Sequence, residues 1–158
     1  MRCPSMMRAG AAAVLVALAA CDSPSAPDTP EPLLLTGITQ PGFSGYDTPR
    51  RLVIRTQADW EAAWATIWLR TIYVPALPVV DFTSDVVLIA AAGQKPALHF
   101  IAIEAAVATR DAATVTVRSY SPLAGCVTTP VITTPADVVK MPRRDRISFV
   151  EEAVVRPC

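Results

Sequence analysis

The alternation of apolar and polar residues predicts the strands in the second half of the chain. An unbroken apolar run at 86–92 ends at Gly93 and has the length of one strand, which predicts a strand buried on both faces. Residues 99–108 then alternate, and a second alternating run at 114–120 completes a predicted β-hairpin. The predicted apolar face of the first run comprises Ile101, Ile103, Ala105 and Val107, with Glu104 on the opposite face.

A segment whose apolar residues recur with the period of a helix precedes these strands. Thr56 followed by Asp59 has the spacing of a capping box in its Asp form, which predicts a helix start directly after a short strand at 51–55. The helix must end before Pro75. One of its faces carries Trp60, Ala63, Trp64, Ile67 and Trp68. At this spacing, beside alanine and isoleucine, such a stripe is predicted to pack into the core rather than to form a ligand platform.

Two later runs, at 136–141 and 147–155, predict two more strands. The pattern therefore predicts an α+β domain with one Trp-bearing helix and about six strands, arranged as a mostly antiparallel sheet or sandwich. This β-rich globular domain is predicted to span residues 33–158.

The N-terminus has a different pattern. Arg2 and Arg8 flank an apolar run at 9–20, which is shorter than the roughly 20 residues that a membrane-spanning helix needs. The run ends in Leu18-Ala-Ala-Cys21, which resembles the lipobox of bacterial lipoproteins. We therefore expect a signal peptide at 1–20, cleavage before Cys21 and lipid on its thiol, as in palmitate-bearing lipoproteins. An ordinary signal peptide with an A-x-A-like cleavage site is the alternative.

The segment after the predicted cleavage site connects the lipid to the domain. Residues 21–32 hold the lipidated Cys21 and a Pro-rich stretch with little to bury, which predicts an extended tether. The domain is then expected in the bacterial cell envelope or periplasm, anchored to a membrane and outside the cytoplasm. Asp22 is an inner-membrane retention signal in some bacteria, so the choice between inner and outer membrane stays open.

The remaining cysteines form an even pair. Cys3 leaves with the predicted signal peptide and Cys21 is consumed by lipid, so Cys126 and Cys158 are left in an exported protein, where thiols oxidise. A Cys126–Cys158 disulfide is expected, with two free buried thiols as the alternative. The chain contains a single histidine and no close Cys-x-x-Cys pair, so no structural zinc site and no other cofactor is predicted.

Charge limits the partners that the sequence can favour. The 14 basic residues balance 14 acidic ones and form no basic stripe, so nucleic acid is not predicted as a partner. The one dense cluster, Arg143, Arg144 and Arg146, is typical of a solvated turn. Its sharper interpretation is an electropositive contact with acidic lipid headgroups or an acidic partner.

The candidate catalytic groups do not form a recognisable set. A Ser-His-Asp triad would have to use His99, which lies at the start of an alternating strand. The sequence contains no Gly-x-Ser-x-Gly elbow to accompany it. Asp81 and Asp85 belong to a predicted strand entry, where aspartate satisfies turn donors. Glu151 and Glu152 are adjacent on a strand and therefore face opposite ways. No catalytic residue and no enzymatic activity is predicted.

Several short motifs together resemble one domain family, the PrcB C-terminal-like domain, named for a lipoprotein subunit of a bacterial surface protease complex. The motifs are Ser44-Gly45, Val53-Ile54, Asp59-Trp60-Glu61 with Trp64, Val80-Asp81-Phe82, Gly93-x-Lys95, Gly125-Cys126, and Thr134-Pro135 with Val138-Val139-x-Met141-Pro142. Members of the family often carry a Gly-Gly-Tyr-type segment after Gly-x-Lys, where this chain has Pro96 to Phe100.

The resemblance implies a non-catalytic module that binds or stabilises a partner, an exported protein such as a protease. The altered segment at 96–100 puts in doubt any binding role that the family places there. The alternative function is an exported small-ligand-binding or hydrolytic domain centred on His99. An exposed apolar patch or a free sheet edge would favour the first function, and a closed pocket converging on His99 would favour the second.

Overall fold

The structure is a computed structural model that describes residues 29–158. The predicted signal peptide, Cys21 and most of the tether lie outside the described residues. The elements in chain order are β1 (Glu31–Pro32), β2 (Thr36–Thr39), β3 (Pro49–Ile54), α1 (Gln57–Ile67), β4 (Asp85–Ala92), β5 (Lys95–Pro96), β6 (Phe100–Thr109), β7 (Ala112–Pro122), β8 (Ile132–Thr133), β9 (Ala136–Pro142) and β10 (Arg146–Arg156).

Two four-stranded sheets build the domain. The first has the strand order β1-β6-β7-β10, the second has the order β2-β9-β4-β3, and β5 pairs with β8 separately. A shared core of β4, β6, β7 and β9 side chains lies between the two sheets, as expected for a sandwich. The prediction of about six strands was too low. The six long strands were predicted, whereas β1, β2, β5 and β8 have only two to four residues each, too few to show a periodicity.

Strand β4 confirms the prediction of a strand buried on both faces. It lies between β3 and β9, with Leu88 opposite Val53 on one side and Val139 on the other. Leu88 contributes to the core between the sheets, while Ile89 contributes to a second core beneath the helix. The strand ends at Gly93 with a φ of 72°, and a Cβ there would meet Pro49 at 2.9 Å, so the turn requires glycine.

A β-bulge corrects the predicted face assignment of β6. The β6–β7 hairpin forms as predicted, but its register shifts between Ile103 and Ala105, so that Glu104 has no cross-strand partner. Beyond this extra residue the faces exchange. Ala106 is buried in the core, and Ala105 and Val107 are exposed, contrary to the expectation from strict alternation.

The long strand β10 departs from the antiparallel pattern that the other long strands follow. It pairs with β7 in parallel along its whole length, from Arg146 opposite Ala112 to Arg156 opposite Pro122. Between β7 and β10 the chain crosses to the second sheet through β9, so it returns to the first sheet in the same direction.

The helix α1 forms at the predicted capping signal. The Thr56 hydroxyl oxygen accepts a hydrogen bond from the Asp59 N–H at 3.2 Å, and its O–H donates to the Asp59 carboxylate at 2.7 Å. The buried residues of α1 are Trp60, Ala63, Trp64 and Ile67. They pack on Val87, Ile89 and Val138 of the second sheet, so the stripe belongs to the core as predicted.

The structure contains the Cys126–Cys158 disulfide, with the two Cα atoms 5.7 Å apart. Gly125, at a φ of 96°, turns the chain directly before Cys126. The bridge ties the loop after β7 to the C-terminal end of β10, beside a hydrogen bond from the Leu123 N–H to the Arg156 carbonyl at 2.8 Å.

We expect replacement of both Cys126 and Cys158 by serine to lower the free energy of unfolding by about 3–4 kcal/mol, because the bridge closes a 32-residue separation in the unfolded chain. Urea denaturation followed by tryptophan fluorescence measures the change. Reductant should destabilise the wild-type chain by a similar amount and leave the double variant unchanged. A wild-type chain that is equally stable with and without reductant would contradict the expectation.

Candidate protein-binding surface

Five exposed large apolar side chains lie in one stretch directly after the helix. We call residues 69–79 the exposed apolar segment. Ile72 is fully exposed, Val79 is 98% exposed and Tyr73 is 79% exposed. The segment's exposed large apolar residues are Leu69, Ile72, Tyr73, Val74 and Val79. Several apolar side chains in water within one short stretch are typical of a contact site for a partner.

The tryptophan stripe positions this segment. The Trp60 indole N–H donates to the Pro78 carbonyl at 3.0 Å, and the Trp64 indole N–H donates to the Pro75 carbonyl at 3.0 Å. Leu77, between these two anchor points, packs against the core beneath the helix. The helix thus holds the segment at Pro75 and Pro78, while its exposed large apolar side chains stay in solvent.

The Ser44-Gly45 motif contacts the C-terminal end of the helix, next to the exposed apolar segment. The Gly45 N–H donates to the Thr66 carbonyl at 3.1 Å, and a Cβ on Gly45 would lie 2.3 Å from that oxygen. Ser44 is fully buried, and it and Thr134 each donate a side-chain hydrogen bond to the other's carbonyl. These contacts hold the end of the helix on the second sheet, so the motif has a structural role.

His99 lies in the turn before β6 and is half-buried. Its Nδ1 atom is 3.1 Å from the Pro96 carbonyl and 3.4 Å from the Ala97 carbonyl. Within residues 29–158, no hydroxyl or carboxylate hydrogen-bonds the ring. Two half-open cavities of about 240 and 260 Å³ flank it. The larger cavity is lined in part by Lys95, Ser119 and Ser121.

Asp81 and Asp85 bind different groups and do not act as a carboxylate pair. The Asp81 carboxylate accepts hydrogen bonds from the Thr83 hydroxyl at 2.6 Å and the Thr83 N–H at 2.9 Å, and these bonds lower its pKa. Asp85 instead pairs with the Lys140 ammonium at 2.9 Å. Asp81 thus caps the strand entry, as predicted.

Glu151 and Glu152 face opposite sides of β10. Glu151 pairs with Arg51 of the other sheet at 2.6 Å, while Glu152 pairs with Arg118 at 2.6 Å. Arg118 also pairs with Glu104, whose carboxylate accepts a hydrogen bond from the Tyr120 hydroxyl. The two glutamates therefore belong to separate structural networks.

Asp137 is a buried carboxyl that the sequence interpretation missed. It is 3% exposed, and it accepts a hydrogen bond from the Ile103 N–H at 2.7 Å, next to the bulge. Burial raises its pKa above the ordinary value of 3.8. Asp137 and Glu104 line an open cleft of about 570 Å³ between β2 and β6. An aspartate in the apolar run 136–141 was the signal that could have revealed this link between the sheets.

The three arginines of the predicted basic cluster occupy the β9–β10 turn. Arg143 donates to the Phe82 carbonyl at 2.9 Å, and Arg146 pairs with Asp111 at 3.0 Å. Arg144 is half-buried and donates to the Arg143 carbonyl at 2.7 Å. Their side chains bind different groups, and a shared binding surface here stays a prediction.

Among residues 29–158, no three His, Cys, Asp or Glu side chains lie close enough together to hold a metal ion. None of the helices described there is long and apolar enough to cross a membrane.

The geometry defines the class of protein as a β-rich α+β sandwich with an exposed apolar segment next to its helix. Residues 86–142 match the family model described as PrcB C-terminal, which confirms the resemblance to the PrcB C-terminal-like domain for this part of the chain. The match runs from β4 through β9 and includes the Gly93, Gly125-Cys126 and Thr134-Pro135 motifs. The helix and the exposed apolar segment precede it. No curated protein and no solved structure matches the chain significantly.

The Asp137→Asn variant is expected to gain stability relative to the wild-type chain as the pH rises. Because the folded pKa of Asp137 is raised, the unfolded chain ionises first, and wild-type stability is lost as the pH climbs from the ordinary aspartate value through the folded pKa. The asparagine does not titrate and keeps an oxygen that can accept from Ile103. The difference in unfolding free energy between variant and wild type should therefore grow in the variant's favour across this window, measured by urea denaturation between about pH 4 and 8.

Asp81→Asn is the matched control, with the opposite sign. The pKa of Asp81 is lowered, so its stabilisation is present above the ordinary aspartate pKa and is lost as the pH falls. The deficit of this variant should shrink in acid. A difference between Asp137→Asn and wild type that does not depend on pH would show that the burial of Asp137 has no such effect.

Proposed function

We propose that this protein is a non-catalytic accessory module that binds and stabilises another exported protein in a protease complex. The observation that carries the proposal is the exposed apolar segment 69–79, which two tryptophan indoles hold at Pro75 and Pro78 while five of its large apolar side chains are exposed to water. Rigid apolar groups lose little conformational freedom on binding, so their burial is available to stabilise a complex. The PrcB C-terminal-like domain supports an association with a protease.

We further propose that lipid on Cys21 anchors the module to a membrane of the bacterial envelope, with the Pro-rich stretch as a spacer. The sequence Leu18-Ala-Ala-Cys21 after a short apolar run supports this. Arg143 and Arg146, exposed in the β9–β10 turn, are a candidate second contact for acidic headgroups or an acidic partner surface.

A photo-crosslinking amino acid at Ile72 or Val79 should capture the same protein partner in native cells, because both side chains point into solvent from the exposed apolar segment. Mass spectrometry of the adduct identifies the partner. Ile72→Ser together with Val74→Ser should leave the fold unchanged and reduce the recovered complex, since these side chains add little to the core.

Val127 provides the matched control position. It is 96% exposed, as Val79 is, but lies in the disulfide loop. Crosslinking at Val127 should not yield the adducts found at 72 and 79. Equal adducts at all three positions, or none at 72 and 79, would contradict binding through the segment. Capture of a partner unrelated to proteolysis would support the binding role of the segment but contradict the proposed association with a protease.

Cys21→Ser tests the anchor independently of the partner. The variant should accumulate as soluble or unprocessed protein, because the serine side chain cannot accept a thioether-linked lipid. The short apolar run at 9–20, if it is retained, anchors the chain only weakly. Fractionation of cells followed by mass determination of the chain measures this. A variant that is still processed and membrane-bound would show that lipidation at Cys21 is wrong.

The second candidate function is a small-ligand-binding or hydrolytic domain at His99. The cavity of about 260 Å³ favours it, because Lys95, Ser119 and Ser121 line the same space as His99. One comparison of a variant with the wild-type chain distinguishes the two functions. A hydrolytic activity lost in His99→Ala, in cells where no partner is crosslinked at 72 or 79, would favour the second function over the first.

A further inference from the structure

The edges of the two sheets are protected to different degrees. Edge strand β1 has two residues and contains Pro32, and edge strand β2 has four residues and an irregular register. Edge strand β3 has six residues, begins at Pro49 and contains two arginines. Edge strand β10 also carries two arginines, together with two glutamates, but it has eleven residues, a continuous register and no proline. Short strands, proline and irregular register prevent edge pairing, and β10 lacks all three.

The backbone of β10 has a definite set of outward-facing groups. The Arg146 N–H donates to the Asp111 carbonyl at 3.2 Å, and the Arg156 carbonyl accepts from Leu123 at 2.8 Å, so the even-numbered residues face β7. In a regular strand the alternate residues face the opposite side. The N–H and C=O groups of the odd-numbered residues therefore face the free edge. These residues are Ile147, Phe149, Glu151, Ala153 and Val155.

The charges on β10 are complementary to the same strand in reverse. When two copies run antiparallel with Phe149 opposite Phe149, Arg146 of each copy lies opposite Glu152 of the other. Both side chains are on the outer face of the sheet, and they are 74% and 45% exposed, so each can add a partner to the one it has within its own chain. Opposite charges at directly facing positions stabilise strand pairs.

Two other antiparallel registers are less favourable. Pairing over the whole strand would set Glu151 opposite itself and Arg146 opposite Arg156, which places like charges together. Pairing of Glu152 with Arg156 would bring Pro157, which has no N–H, opposite Glu151. The register centred on Phe149 avoids both conflicts and uses the outward groups of Ile147, Phe149 and Glu151 for about six backbone hydrogen bonds.

We propose that two copies of this chain associate through antiparallel pairing of their β10 strands, centred on Phe149, so that the first sheets join into one continuous sheet. The two-fold axis lies between the Phe149 residues, and the contact is the same surface on both copies. Pairing also covers the parts of Ile147 and Phe149 that the core leaves half-buried. The exposed apolar segment is not part of this contact.

Charge reversal tests the pairing and its register. Sedimentation velocity of the full chain, carrying Cys21→Ser to remove lipid, is measured over a range of concentrations. Wild type should dimerise reversibly. Arg146→Glu alone and Glu152→Arg alone should each raise the dissociation constant about tenfold or more, because each places like charges opposite each other twice. The double variant, and an equimolar mixture of the two single variants, should regain dimerisation because every facing pair is again opposite in sign.

Recovery in the mixture separates pairing from damage within the chain. Each single variant loses an internal ion pair, with Asp111 or Arg118, and mixing cannot restore either one. Glu61→Arg, an exposed reversal on the helix, is the control and should dimerise as wild type does. A wild-type chain that is monomeric throughout, single variants that dimerise normally, or a mixture that stays monomeric would each overturn the proposal.

Cysteine pairs report the register without relying on charge. Ser148 of one copy lies opposite Val150 of the other, and both side chains are exposed. Facing residues of this type, which exchange no hydrogen bonds, have Cα atoms about 4.5 Å apart, within reach of a disulfide. Mixed Ser148→Cys and Val150→Cys chains should crosslink under mild oxidation, and neither variant should crosslink by itself. Crosslinking of a single variant with itself would overturn the register.

Discussion

Strand β4 must exclude water from both of its faces, and the rest of the structure depends on how this is achieved. One face needs the first sheet, whose strands β6 and β7 supply Ile103 and Val117; the other needs the helix, which supplies Trp60 and Trp64. Neither layer alone would bury an almost wholly apolar run, since each covers a single face. The family match begins at this strand, so the part of the chain that matches the family model includes the strand to which the other layers attach.

The way the helix meets this constraint also produces the candidate binding surface. A buried indole N–H is stabilised by an acceptor, and for Trp60 and Trp64 both acceptors are carbonyls of the loop that follows the helix. Satisfying the two indoles therefore fixes the loop close to the ring edges, with Leu77 directed inward and Tyr73 outward. Packing and surface exposure thus have a common origin in this region. A substitution of Trp64 would affect the presentation of the segment as well as the core.

Much of the fold could be predicted from the sequence because its long elements have strong periods. The cap at Thr56, the stripe from Trp60 to Ile67 and the buried run at 86–92 each depend on local chemistry, which a single chain displays. The bulge at Glu104 could not be predicted, because it depends on the buried Asp137 carboxylate of another strand that accepts the Ile103 N–H. The parallel pairing of β10 could not be predicted for a related reason. Periodicity indicates which side chains share a face of a strand, but not the direction of the neighbouring strand. The exposed segment likewise depends on indole partners that only the tertiary structure reveals.

The two surfaces proposed for association differ in the interaction they use, and this allows them to act together. The segment at 69–79 offers apolar side chains, while β10 offers backbone groups and charges in a defined register. Edge pairing alone buries little area, so the dimer in solution should be a reversible one whose share rises with protein concentration. Under the proposed anchor, however, two chains share one membrane surface, where confinement raises their effective concentration and favours a weak symmetric contact. A dimer formed in this way would present two exposed segments at once, and a partner with two matching sites would bind more tightly than either segment alone permits. The lipid, the β10 edge and the exposed apolar segment would then contribute successive parts of one assembly.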